Sequence, residues 1–76
     1  MKIEILGTGC PKCKKLTQNA EEAVKELGID AEIIKVTKIN EIMKYGVMLT
    51  PALVVNGEVK ESGKLLSKEE IKSIIS

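Results

Sequence analysis

TPALVVNGEVKE, residues 50–61, reads as a breaker, a strand, a turn and a second strand. Proline has no N–H to give and disfavours helix in the residue before it, so Thr50-Pro51 ends whatever precedes it. ALVV is then a short apolar run of strand type. Asn56-Gly57 supplies the two residues that tolerate positive φ at both centres of a type I′ turn, the strongest short-range hairpin signal. In the returning segment EVKE the charges at Glu58, Lys60 and Glu61 suit an edge strand, where they discourage pairing with other chains.

Working back from the hairpin, Ile39, Ile42, Met43 and Val47 give a short helical pattern, and AEIIKV, residues 31–36, is a β-rich run. KIEIL, residues 2–6, alternates polar and apolar and predicts a first strand, ended by Gly7 and Gly9. From Pro11 onward Leu16, Ala20, Ala23, Val24 and Leu27 fall at helical spacing, with Gly28 as the C-terminal stop. Beyond the hairpin, Ser67 and Glu70 form a capping box ahead of Ile71, Ile74 and Ile75. The order is β-α-β-α-β-β-α. Its βαβ half needs a parallel pair and its hairpin an antiparallel one, so the fold class is α/β, a mixed four-stranded sheet covered by helices.

No repeat, linker or low-complexity tract divides the 76 residues, which are read as a single domain, 1–76. The apolar content of 43% with 30% charged residues is ordinary for a globular domain. Net charge is +1, and all twelve basic residues are lysines, so the bidentate forks of arginine are missing. With Tyr45 the single aromatic there is no stacking platform for bases either, and nucleic acid is not an expected partner. No apolar run approaches the roughly 18 residues of a membrane span, and MKIEILG is too short and too charged for a secretory signal. The expected location is the cytoplasm, without membrane attachment.

Both cysteines lie in GTGCPKCKK, residues 7–15. As a structural staple the pair is poor, because closing four residues stabilises by only about 2 kcal/mol on a chain-entropy view and cytosolic thiols are kept reduced. Pro11 suits the first helical position, which puts Cys10 at the helix N-terminus and Cys13 one turn inside. Residues three apart share a helix face, so a small adjustment brings the two sulfurs to bonding distance. Unpaired N–H groups and the positive end of the helix dipole favour a thiolate at Cys10, which marks it as the nucleophile. Cys13, deeper, would resolve the mixed disulfide that Cys10 forms. Lys12, Lys14 and Lys15 either add positive potential that draws acidic partners or form an ordinary solvated helix face.

CPKC after strand one, YGVMLTPALVVNGE and the capped last helix together resemble the thioredoxin superfamily, in particular its small redox-active disulfide proteins of glutaredoxin-like dimensions. The resemblance covers nearly the whole chain and implies a thioredoxin-like fold and a thiol-disulfide oxidoreductase needing no cofactor beyond the Cys10-Cys13 disulfide. It implies a cis Pro51 facing the cysteine pair and a Thr50 backbone that pairs with an extended substrate segment. Pro11 and Lys12, beside the cysteines, complete the expected substrate-contacting set. Glu4, six positions before Cys10, stands at the offset of the buried thioredoxin aspartate and would exchange protons with the inner cysteine; a one-residue strand flip would turn it outward instead. Implied partners are protein disulfides, with a thioredoxin-reductase-like flavoprotein or a low-molecular-weight thiol as electron donor, and the expected state is a monomer.

Two features depart from the superfamily. Gly9 replaces the tryptophan before the first cysteine, and Ser62-Gly63-Lys64-Leu65-Leu66-Ser67 lacks the Gly-Gly pair with which glutaredoxins grip glutathione. The rival class is a soft-metal carrier of the heavy-metal-associated type, holding Cu(I) or sharing Zn between chains through the same CxxC. Its β-α-β-β-α-β order would end in a strand, which the capped tail and Thr50-Pro51 oppose. A redox-sensing binding module without turnover is a third reading.

Overall fold

The computed structural model describes residues 1–9 and 11–75. Its elements run β1 (Lys2–Leu6), α1 (Pro11–Leu27), β2 (Glu32–Val36), α2 (Ile39–Lys44), β3 (Ala52–Val55), β4 (Glu58–Ser62) and α3 (Lys68–Ile75). The four strands form one sheet in the order β2-β1-β3-β4. β1 pairs parallel with β2 and antiparallel with β3, and β3 pairs antiparallel with β4. This is the mixed α/β arrangement expected from the sequence, and it ends in a helix.

Local chemistry fixes the joints. Asn56 and Gly57 both have positive φ, at 51° and 82°, as the turn requires. Asn56 also ties the hairpin to the start of β1: its Oδ1 accepts the Lys2 N–H at 2.9 Å, and its own N–H reaches the Lys2 carbonyl at 2.8 Å. Past the turn, Val54 faces Val59 while Leu53 faces Glu61, so Lys60 is an extra residue that bulges the exposed edge strand. α1 stops where Gly28, at φ 66°, donates to the Lys25 carbonyl and Ile29 to the Val24 carbonyl, the paired bonds of a Schellman ending. At α3 the capping box is reciprocal. Ser67 Oγ accepts the Glu70 N–H at 3.2 Å, and Glu70 Oε1 accepts the Ser67 N–H at 3.1 Å.

The sheet separates two apolar layers, and strand alternation decides which residue enters which. Ile3, Ile5, Leu53 and Val55 face α1 and α3, meeting Leu16, Ala20, Ala23, Ile71 and Ile75. Leu6, Val36, Ala52 and Val54 face the other way and meet Ile42 and Val47. The second helix is shorter than the sequence pattern suggests. Gly46, at φ 74°, donates to the Met43 carbonyl and ends it, so Val47 reaches the core from a loop. Within the helix itself only Ile42 is buried, while Ile39 and Met43 are exposed.

Candidate active site

β1 and α1 are joined by a short loop, so the first turn of the helix packs beside the end of the strand. Pro11 occupies the first helical position, where its missing N–H costs nothing. The first turn carries no acidic residue, and Pro11, Lys12, Lys14 and Lys15 are all exposed. Cys13 turns inward on the same face as Leu16, Thr17 and Ala20, and only 5% of it is exposed. The buried Thr17 hydroxyl donates back to the Cys13 carbonyl at 3.0 Å. Cys10, expected from the sequence to be the nucleophile, lies outside the described residues.

Gly7 explains how Cys13 comes to lie so close to the sheet. Alternation along β1 continues through Ile3 and Ile5 to Gly7, which therefore faces the helix. A Cβ at Gly7 would overlap the Cys13 sulfur, stand 3.1 Å from Cys13 Cβ and touch Thr50 Cβ at 3.9 Å. Cys13 and Thr50 thus adjoin the same glycine. A cleft of about 90 Å³ opens there, lined by Ile5, Gly7, Gly9, Cys13, Thr17 and Thr37 with two lysines, Lys14 and Lys35.

Thr50 is exposed and Pro51 fully buried, and the peptide bond between them is cis. The Pro51 carbonyl accepts the Gly63 N–H at 2.9 Å, which ties this segment to the end of β4. Immediately before it in the chain, Met48 is 95% and Leu49 66% exposed, an apolar stretch leading into Thr50.

Glu4 is not brought together with Cys13. It pairs with Val54 on one side and Ile34 on the other, and its side chain enters the α2 layer, across the sheet from the thiol. It is 7% exposed. There its Oε2 accepts the Tyr45 hydroxyl at 2.7 Å, with Lys2 Nζ 3.9 Å from Oε1. The hydrogen bond to Glu4, then burial, then the negative charges of Glu4 and Glu41 push the Tyr45 hydroxyl above its ordinary pKa. An open cavity of about 390 Å³ adjoins this pair, with Ile34, Val36, Glu41 and Lys44 among its walls.

Two residues of this region escape a reading by motif. Gly7 looks like a strand terminator, although counting two positions on from Ile5 would have turned it toward the helix. Tyr45, the lone aromatic, carries no local signal that it reaches a carboxylate 41 positions away.

The thioredoxin domain family matches this sequence over residues 1–76. A thioredoxin of Methanothermobacter thermautotrophicus is 54% identical over 76 residues, covering all of this chain and 99% of that protein. A thioredoxin of Methanocaldococcus jannaschii is 51% identical over 70 residues, 92% of this chain and 80% of its own. A probable thioredoxin of M. thermautotrophicus is 38% identical over 65 residues, or 82% of this chain and 75% of its own. Likeness that runs from end to end, on elements in the expected order, makes this chain a member of the thioredoxin family and a thioredoxin-type redox protein.

Proposed function

We propose that the protein exchanges electrons with protein disulfides through the Cys10/Cys13 dithiol. The Cys10 thiolate attacks one sulfur of the substrate disulfide, forming a mixed disulfide and releasing one substrate thiolate. The Cys13 thiolate then attacks the Cys10 sulfur. A Cys10-Cys13 bond forms, the second substrate thiolate leaves, and two electrons have passed to the substrate. Restoring the dithiol takes two electrons and two protons from a reductase or a low-molecular-weight thiol, and no other cofactor enters. A reducing compartment such as the cytoplasm suits this cycle.

The observation that carries the reading is Cys13 buried against Gly7, with Thr50 adjoining the same glycine. An inner thiol held there has little reach of its own, which suits resolution rather than first attack. Thr50 and Pro51 beside it, with Pro11 and Lys12 on the first turn, are the proposed substrate contacts. The apolar stretch of Met48 and Leu49 gives an unfolded or extended partner something to bury.

Reduction of insulin disulfides, followed for wild type, Cys10→Ser and Cys13→Ser, tests the assignment. Wild type turns over, Cys10→Ser does not, and Cys13→Ser stalls as a covalent adduct with its substrate. Turnover that survives Cys10→Ser overturns it, and one equivalent of Cu or Zn retained through purification would favour the metal-carrier reading.

A further inference from the structure

A carboxylate in the middle of an inner strand, between Val54 and Ile34, is costly unless it is paired. Glu4 faces away from the thiol, so its use must be sought among the groups it does meet. Those are the Tyr45 hydroxyl at 2.7 Å and Lys2 at 3.9 Å. Tyr45 is the C-cap of α2, the residue at which the helix hands over to the loop ending at Thr50. That loop has few attachments. Val47 is buried in the α2 layer, and Gly63 holds Pro51 at the far end. Between them Met48 and Leu49 stand exposed. Tyr45 is half-buried against the α2 layer, with the open cavity on its other flank. The hydrogen bond to the buried Glu4 side chain is the polar constraint on its position.

We propose that Glu4 is a positioning residue for the substrate-facing loop: by accepting the Tyr45 hydroxyl it holds residues 46–50 in the shape that presents Met48, Leu49 and Thr50 to a protein disulfide. The inference rests on the disulfide-exchange reading above. It assigns Glu4 a task separate from proton transfer, and the two tasks respond differently to substitution. Glutamine keeps an oxygen that accepts the tyrosine hydroxyl but cannot carry a proton between groups, whereas alanine removes the acceptor altogether.

The experiment compares wild type, Glu4→Gln, Glu4→Ala and Tyr45→Phe with insulin and with a small aromatic disulfide that has no chain to dock. In Tyr45→Phe and Glu4→Ala the KM for insulin is expected to rise about three- to ten-fold, as when only a tenth to a third of molecules hold the loop competent. Their kcat and their rates with the small disulfide stay at the wild-type value, and Glu4→Gln behaves as wild type throughout. An unaltered insulin KM in Tyr45→Phe, or equal losses with both substrates, overturns the proposal. So does a Glu4→Gln variant slowed with both substrates, which would instead indicate proton transfer. Should Tyr45→Phe fail to fold, the Glu4→Gln and Glu4→Ala pair gives the same comparison. Wild-type protein that reduces neither substrate brings down the disulfide-exchange reading itself, a result distinct from any of these.

Discussion

Gly7 and Cys13 are in contact across the junction of strand and helix, and a side chain at Gly7 would occupy the space of the Cys13 sulfur. The backbone is not what demands glycine here, since Gly7 is not among the glycines with positive φ. The demand is room.

Gly7→Ala is therefore expected to drive the first turn of α1 off the sheet, costing about 1–3 kcal/mol as an overpacked core position does. Denaturant unfolding measures the cost. The same variant should accumulate the mixed disulfide with insulin, because a displaced Cys13 resolves it slowly. An unfolding midpoint equal to wild type would show that the helix yields freely.

Gly63 makes a different demand. Its φ is 74°, and a Cβ there would stand 2.9 Å from Leu49 Cβ. Gly63→Ala should lose roughly 1–2 kcal/mol to the left-handed backbone alone. It should also shift Leu49, seen as a raised insulin KM beyond what the stability loss explains.

Acid should loosen the packing of α1 on α3. Glu26 lies 2.6 Å from Lys68 and 3.0 Å from Lys72, and its carboxyl is held below the usual range first by the hydrogen bond to Lys68, then by that to Lys72. A depressed carboxylate contributes stability that is present above its unfolded value, about 4.3, and is lost as pH falls through the lower folded value. Unfolding midpoints measured from pH 6 down to pH 3 should therefore fall more steeply for wild type than for Glu26→Gln. Parallel curves would remove the pair from the stability account.

Ser67→Ala removes the hydroxyl that accepts the Glu70 N–H, leaving the Ser67 backbone half of the capping box in place, and should cost about 1 kcal/mol, read from thermal or denaturant unfolding. Ser67→Asn should recover most of it, since that side chain also accepts at an N-cap.

Turns and caps were legible in the sequence because each is a local bargain between a few residues. Asn56-Gly57, Gly28 and the Ser67/Glu70 box all lie where composition puts them. The hairpin, read with the CxxC ahead of it, led to the fold. The second helix was overextended, since Val47 keeps the helical spacing while Gly46 has already broken the backbone. Ile39 and Met43 keep the helical spacing yet stand exposed, because the six residues of helix present one core position, Ile42. At the candidate site, Cys13, Thr50 and Pro51 could be named in advance because they sit in motifs. Glu4 could be named but not oriented, because a strand gives both faces until its neighbours are known. Gly7 and Tyr45 act through contacts made across the fold, which no spacing in the chain announces.

The central claim is that two sulfurs of this chain cycle together between bonded and free forms. Equilibration of the folded protein in thiol-disulfide buffers, followed by alkylation and mass analysis, tests it directly. The account predicts one two-electron transition, close to 30 mV per tenfold change in ratio, in which Cys10 and Cys13 lose their alkylation together. A protein whose cysteines titrate separately, or stay reduced throughout the span of roughly −120 to −270 mV covered by known disulfide carriers, would contradict it.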